Sequence, residues 1–239
     1  MLRGLLVYFI FTATLMGCQS MRSRRQHEIT DGPCASGLIE IPLHPQAWTV
    51  EYSGYGRVEF APQKNELWMS PQGARTPQAT HASLVLSHFK LDPKSFHVVV
   101  EYQNLHPLRT GTANPWEVFW LFFQYQKQPS GLKSTNYVIA KTNGLEMGRA
   151  SGTNQQDFLK TTDSPKADFN RWHRLELRRS PTQLSVILDD EKAFDWEIPS
   201  PAPSGKPSAP DLFDQEGQLG LYTEDAEVLI RKVCLRNGP

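Results

Sequence analysis

The sequence is cut into short runs of β-branched and aromatic residues, and each run is bounded by Gly, Pro, Asn, Asp or Ser. About a dozen such runs lie between residues 37 and 235, among them ASLVLSHFKL, EVFWLFFQYQ and QLSVILDD. Almost none of the chain shows the 3.6-residue periodicity of an amphipathic helix. Many short strands separated by turn residues are typical of antiparallel sandwiches. The pattern predicts an all-β fold, a two-sheet antiparallel jelly-roll sandwich.

Turn residues support this division into strands. Asn143-Gly144 lies between two runs and predicts a hairpin, and Asp189-Asp190 occupies a turn position that Asp tolerates. The Pro-rich segment at residues 198–210 predicts an extended surface loop.

The N-terminus resembles a bacterial lipoprotein signal peptide. Arg3 precedes a short apolar run, which ends in Leu15-Met16-Gly17-Cys18. The resemblance implies a signal peptide at residues 1–17, lipidation (palmitate) of Cys18 and attachment to a membrane through that lipid. In a Gram-negative cell, Gln19 after the cysteine implies by the same resemblance the outer membrane of the cell envelope. The alternative is an ordinary secretory signal with an incidental cysteine. Residues 18–33 are polar and basic, which predicts a flexible tether.

Two further cysteines, Cys34 and Cys234, stand at the two ends of the predicted domain, residues 34–239. An exported chain enters an oxidising compartment, so a disulfide between them is expected. Such a bond requires the first and last strands to be neighbours. The alternative is two free, half-buried thiols.

Composition and motifs exclude several classes of function. The formal net charge is +0, which gives no sign of the basic face that nucleic-acid binding needs, so no nucleic-acid partner is expected. The sequence carries no zinc, phosphate-binding or nucleophile-elbow motif, which predicts no cofactor and no catalytic metal. Glu224, Asp225 and Glu227 are candidate ligands for a structural calcium ion, and a solvated acidic loop is the alternative.

The segment NPWEVFWLFFQYQ, residues 114–126, is aromatic on both faces of its predicted strand. Strict alternation puts Trp116, Val118, Trp120, Phe122 and Gln124 on one face, and Glu117, Phe119, Leu121, Phe123 and Tyr125 on the other. A sandwich strand normally shows one apolar face and one polar face. Either a loop covers the second apolar face, or that face is the floor of an aromatic cleft.

The next run, NYVIAKT, predicts Val138 and Ala140 on the core side and Tyr137 and Lys141 on the cleft side. Aromatic rings flanked by polar groups suit sugars, so the candidate binding residues are Trp120, Phe122, Gln124, Tyr137, Lys141 and Arg149. Glu117 and Glu146 are the candidate acid and base if the protein is a glycoside-cleaving enzyme, which needs two carboxyl groups. Ordinary structural salt bridges are the alternative for these two residues.

The order of PWEVFWLFFQY, NGLEMGR, WHRLELRRSPTQLSVILDD and GQLGLYTEDAEV resembles the concanavalin A-like lectin/glucanase superfamily, specifically laminin-G-like and 3-keto-disaccharide-hydrolase-like domains. The resemblance covers residues 115–233 and departs from a common Asp-Gly turn at Asp189-Asp190. It implies the jelly-roll fold. The superfamily includes lectins, hydrolases, lyases and structural modules, so the activity stays open.

Three functions remain as hypotheses. The first is glycan binding by an envelope lipoprotein. The second is a polysaccharide-active enzyme, either a hydrolase or a lyase. The third is a purely structural envelope lipoprotein.

Overall fold

The computed structural model describes residues 34–76, 78–128, 131, 133–152, 155–199 and 212–238. The predicted signal peptide, Cys18 and the tether lie outside the described residues, as does most of the Pro-rich loop. The strands are β1 (Ile39–Glu40), β2 (Trp48–Tyr52), β3 (Arg57–Ala61), β4 (Glu66–Ser70), β5 (Ala82–Leu91), β6 (Phe96–Pro107), β7 (Phe119–Lys127), β8 (Lys133–Lys141), β9 (Gly144–Ser151), β10 (Gln155–Thr162), β11 (Trp172–Arg179), β12 (Gln183–Leu188), β13 (Glu191–Glu197), β14 (Gly217–Glu224) and β15 (Ala226–Asn237). A short 3₁₀ helix spans Leu212–Asp214.

The strands form two antiparallel sheets that face each other, as the sequence pattern predicts. The eight-stranded sheet has the order β13-β12-β11-β6-β15-β4-β3, with β1 paired to β15. The seven-stranded sheet has the order β10-β9-β8-β7-β14-β5-β2. The chain is therefore an all-β, two-sheet jelly-roll sandwich. Among the described residues, no helix has the length and apolar character needed to cross a membrane.

The core lies between the sheets and takes alternate residues from each strand. From the seven-stranded sheet it receives Phe119, Leu121, Phe123, Val138 and Ala140, all fully buried. The predicted core side of β8 is thus confirmed. Val98, Val100, Leu175, Leu177 and Val186 face them from the eight-stranded sheet.

Strands β9 and β10 are the two that the sequence pattern did not predict. Their sequences, GLEMGRAS and QQDFLKTT, are rich in polar and small residues with low β-propensity. Cross-strand pairing imposes the strand conformation here, because β9 pairs with β8 from Gly144 to Ser151. The predicted hairpin is confirmed, with Lys141 opposite Gly144.

The predicted disulfide joins Cys34 to Cys234, with Cα atoms 5.9 Å apart. Strand β1 pairs with β15 so that Glu40 lies opposite Cys234. The first and last strands are therefore neighbours, as the bond requires. The closed loop has a sequence separation of 200 residues.

Removing the disulfide should lower the free energy of unfolding. For a loop of this length the chain-entropy model gives a loss of about 5 kcal/mol. Denaturant unfolding of the oxidised protein and of a Cys34→Ser/Cys234→Ser double variant measures the difference. Equal midpoints and equal slopes for the two proteins would contradict the expected stabilisation.

Candidate functional site

A β-bulge in β7 changes which side chains of the aromatic segment face outward. Gln124 has a φ of 55°, and the pairing register with β8 shifts between Phe123 and Gln126. The extra residue turns Gln124 inward and Tyr125 outward, the reverse of strict alternation. The Gln124 amide donates to the backbone oxygen of Phe213 at 2.9 Å and accepts from Asn136 at 3.0 Å. The prediction that Gln124 binds a ligand is therefore wrong.

The outer face of the seven-stranded sheet carries a second apolar cluster, separate from the core. We call it the aromatic layer, and its rings belong to Trp120, Phe122, Tyr125, Tyr137 and Tyr222. Phe122 and Tyr222 stack with centroids 4.6 Å apart and planes 17° apart. The Trp120 ring lies 5.2 Å from both Tyr137 and Tyr222. The cleft-side position predicted for Tyr137 is confirmed.

Tyr137 can lie flat on the sheet because its cross-strand partner is Gly148. A Cβ atom on Gly148 would stand 2.3 Å from the Tyr137 hydroxyl oxygen, well inside van der Waals contact. Any larger residue would displace the ring, so the low-propensity glycine of β9 is explained by the ring that covers it.

The aromatic layer is packed too closely to offer whole ring faces to a ligand. Tyr137 is 0% exposed, Trp120 5% and Phe122 8%. The Trp120 indole N–H also donates to the backbone oxygen of Trp116 at 2.8 Å. The prediction that these three rings stack on a ligand is wrong for Tyr137, and only a small part of Trp120 and Phe122 remains accessible. The aromatic layer therefore forms a closely packed floor on the outer face of the sheet, and we call it the floor.

Exposed aromatic side chains stand at the rim of this floor. Trp116 is 43% exposed, Phe158 65% and Tyr52 36%. Residue-by-residue propensity missed Phe158 because its strand was not predicted. In the structure, the rim is recognised from aromatic side chains that remain exposed beside the buried ones.

Floor and rim enclose a groove made of two adjoining cavities of about 520 and 330 Å³. The larger cavity is lined by Tyr52, Phe122 and Thr135, and the smaller by Trp116, Phe158 and Glu146. They are continuous, because Trp120, Gln156 and Glu224 line both. These volumes are in the range of small-ligand sites, and the walls combine apolar side chains with polar and charged groups.

The predicted binding residue Lys141 and the candidate acid or base Glu146 lie in the groove, whereas the predicted binding residue Arg149 does not. Lys141 and Glu146 line the smaller cavity, and the Lys141 Nζ stands 2.7 Å from the Glu146 carboxylate. Glu146 also accepts a hydrogen bond from the Tyr137 hydroxyl at 3.4 Å. The prediction that Arg149 binds a ligand in the groove is wrong. Arg149 alternates with the groove-facing Gly148, so it projects to the opposite face and pairs with Asp157 at 2.8 Å.

Glu117 does not occupy the position that an acid or base in the groove would need. Its side chain is 0% exposed and forms an ion pair with Arg109 and a hydrogen bond of 2.8 Å with Asn114. It lines neither cavity of the groove. The structure therefore does not place Glu117 and Glu146 together as an acid and base facing one ligand.

Arg109 joins Glu117 to Asp225, which it contacts at 2.9 Å. Asp225 is fully buried and also accepts the backbone N–H of Ala74 at 2.8 Å. We call Arg109, Glu117 and Asp225 the buried ion cluster. It connects three loops at one end of the groove.

Glu224 is the second carboxyl group of the groove. The sequence indicates it only as a candidate ligand of a structural calcium ion. Glu224 accepts a hydrogen bond from the Tyr222 hydroxyl at 2.9 Å. Burial raises its pKa, and the negative charges of Asp225 and Glu117 raise it further. These effects outweigh the hydrogen bond from Tyr222 and the positive charge of Arg109. Glu224 therefore favours protonation more than an ordinary glutamate does.

The three acids considered for calcium do not converge. Glu224 contacts Tyr222, Asp225 contacts Arg109, and Glu227 accepts from the Trp68 indole at 2.7 Å. Within the described ranges, no group of three His, Cys, Asp or Glu side chains could hold a metal ion.

No protein-family model matches the sequence, and neither does any curated protein. Solved structures do match in fold. The carbohydrate-binding module CBM66 from Bacillus subtilis is 16% identical, with a TM-score of 0.53 over 78% of this chain and 93% of that one. The β-glucanase of Bacillus licheniformis is 10% identical, with a TM-score of 0.56 over 85% and 100%. The VIP36 exoplasmic/lumenal domain, in a form bound to Ca²⁺ and Man3GlcNAc, is 12% identical, with a TM-score of 0.52 over 85% and 89%. The chain therefore has the concanavalin A-like jelly-roll fold that the sequence resemblance implies.

Proposed function

We propose that the domain binds a carbohydrate in the groove over the outer face of the seven-stranded sheet. The observation that carries this proposal is the position of the exposed aromatic side chains. Of the six most exposed large apolar side chains in the described part of the chain, three line the groove: Tyr52, Trp116 and Phe158. Exposed apolar groups gathered in one place mark an interaction site.

The chemistry of the groove suits a sugar. Pyranose and furanose rings have apolar C–H faces, which pack on flat aromatic side chains, and hydroxyl groups, which need polar partners. The rim supplies the rings, and Lys141, Glu146 and Gln156 supply charges and hydrogen-bonding groups. The fold is shared with a carbohydrate-binding module and a β-glucanase, which is consistent with this proposal.

Truncating the rim should weaken binding without unfolding the protein. Trp116→Ala or Phe158→Ala should each raise the Kd for a bound oligosaccharide about tenfold, the effect of losing one well-placed aromatic contact of about 1.4 kcal/mol. A glycan array identifies the oligosaccharide, and titration calorimetry measures the Kd.

Ile39→Ala is the matched control, because Ile39 is 71% exposed but lies on β1 in the other sheet. It should leave the Kd unchanged. Folded wild-type protein that binds none of the arrayed glycans would contradict the proposal.

A second candidate function is cleavage of the bound polysaccharide, favoured by the two carboxyl groups of the smaller cavity. Glu224 has a raised pKa and suits a general acid, whereas Glu146 is ion-paired with Lys141 and suits a carboxylate base or nucleophile. Glycoside hydrolysis uses two carboxyl groups in unlike environments, which flank the scissile bond. Glu224 thus replaces Glu117 in the predicted acid–base pair.

The enzymatic candidate predicts reducing-end release from a polysaccharide that the protein binds. Because an acid acts in its protonated form, the rate should fall as pH rises through the raised pKa of Glu224. Glu224→Gln and Glu146→Gln should each reduce the rate at least about a hundredfold while oligosaccharide binding persists. Tight binding with no release at any pH would leave the groove as a binding site alone.

We further propose that Cys18, outside the described residues, is lipidated and holds the domain at the bacterial envelope. The support is the Leu15-Met16-Gly17-Cys18 sequence at the end of an apolar run. Two features support export: the signal-like N-terminus and the disulfide between Cys34 and Cys234.

Cys18→Ser should move the protein from the membrane fraction to the soluble fraction of the cell envelope, because its lipid anchor is lost. Fractionation followed by immunoblotting measures the distribution. Membrane association that is unchanged in the variant would contradict the anchor.

A further inference from the structure

A third cavity, of about 620 Å³, adjoins the groove at the edge of the seven-stranded sheet. It is lined by the turn between β2 and β3 and by the start of β5, including Tyr52, Tyr55 and His81. Tyr52 also lines the larger cavity of the groove, so the two spaces meet at this side chain.

Tyr55 is an unusual residue for the position it occupies, and packing does not explain its presence there. Its side chain is 86% exposed, so it buries little apolar surface. Its φ is 61°, a left-handed conformation that is unfavourable for a bulky residue. Every other non-glycine residue with positive φ in the described ranges is Asn, Asp or Gln. Strain of this kind is retained mainly at functional positions.

The surrounding turn fixes the position of the ring. Gly54 and Tyr55 have consecutive φ values of 63° and 61°, and Gly56 N–H donates to Ser53 O at 3.2 Å, as in a type I′ turn. Glycine is favoured at the second central position of such a turn, where this chain has Tyr55. The Tyr55 ring meets His81 edge-on with centroids 5.5 Å apart, and His81 Nδ1 is 2.7 Å from the Gln72 oxygen.

The cavity extends a row of side chains that crosses the sheet. Register places Tyr52, Leu84, Tyr222, Trp120, Ile139 and Glu146 side by side on six neighbouring strands. Five strand spacings amount to about 24 Å. A ligand that follows this row from Glu146 past Tyr52 arrives at Tyr55.

We propose that Tyr55, with His81, forms an outer subsite that binds a sugar residue of a linear glycan extending out of the groove. This inference rests on the proposed glycan binding and specifies its substrate class as an extended chain of sugars. The Tyr55 ring is held in place for the ligand at the expense of backbone strain. Affinity therefore increases with chain length up to the length that reaches Tyr55.

The test is a Tyr55→Gly variant of the full-length protein. Glycine relieves the strain at a left-handed position, so the midpoint of thermal unfolding should stay the same or rise. Affinity is measured with a size series, from disaccharide to octasaccharide, of the strongest glycan-array binder and of β-glucan oligosaccharides. The variant should bind the short members like wild type and the longest members about tenfold more weakly.

Two further variants distinguish this subsite from the rest of the groove. Trp116→Ala should weaken binding of short and long oligosaccharides alike, because Trp116 lines the groove itself. Ile39→Gly, at a position that is 71% exposed and lies in the other sheet, should change the binding of neither short nor long oligosaccharides.

The outcomes separate the two proposals. If wild type binds glycans and Tyr55→Gly binds oligosaccharides of every length as tightly as wild type does, the outer subsite is refuted and glycan binding stands. A loss that is the same for short and long oligosaccharides would also refute the outer subsite. If wild type binds no glycan of any length, both proposals fail.

Discussion

Arg109 and the two buried carboxylates that it joins determine the shape of one end of the groove. Arg109 contacts Glu117 and Asp225, and it also donates to the Thr76 backbone oxygen at 2.9 Å. These partners belong to three loops: one carries Trp116, one follows Glu224 at the end of β14, and one leads toward His81. Breaking a buried ion pair leaves an uncompensated charge and typically costs about 3–5 kcal/mol. The loop that carries Trp116 is therefore held in position before a ligand arrives.

The same cluster has an excess of negative charge, since one guanidinium faces two carboxylates. This excess acts on Glu224, whose pKa is raised first by burial and then by Asp225 and Glu117. The ion cluster thus has a structural role at the loops and an electrostatic effect inside the groove. Glu117, which the sequence suggested as an acid or base, is thus part of the structural cluster, and Glu224, which it suggested as a calcium ligand, is the groove carboxyl group whose pKa the cluster raises.

Most of the fold could be predicted from the sequence because turn residues and β-rich runs are local signals, and because Cys34 and Cys234 required the terminal strands to be neighbours. The misses have physical causes. Strand β9 contains Gly148 because Tyr137 needs its space, and a pairwise contact of this kind is invisible to propensity. The bulge at Gln124 reversed the facing of two side chains. The groove could be located from its aromatic segment. Its binding groups could not be identified, because the sequence does not show which aromatic side chains are buried in the floor and which are exposed at the rim.

The separation of floor and rim also explains how a sheet with two apolar faces remains folded in water. Trp120, Phe122, Tyr137 and Tyr222 pack on one another, so their rings are at most 9% exposed and contribute burial as core residues do. The exposed rings of Trp116 and Phe158 bury a smaller share of their surface than these floor rings do, and Tyr55 adds backbone strain. Aromatic side chains that stabilise the fold and aromatic side chains available to a ligand are therefore different residues. Substitutions at the rim can change recognition while the floor keeps the sheet intact.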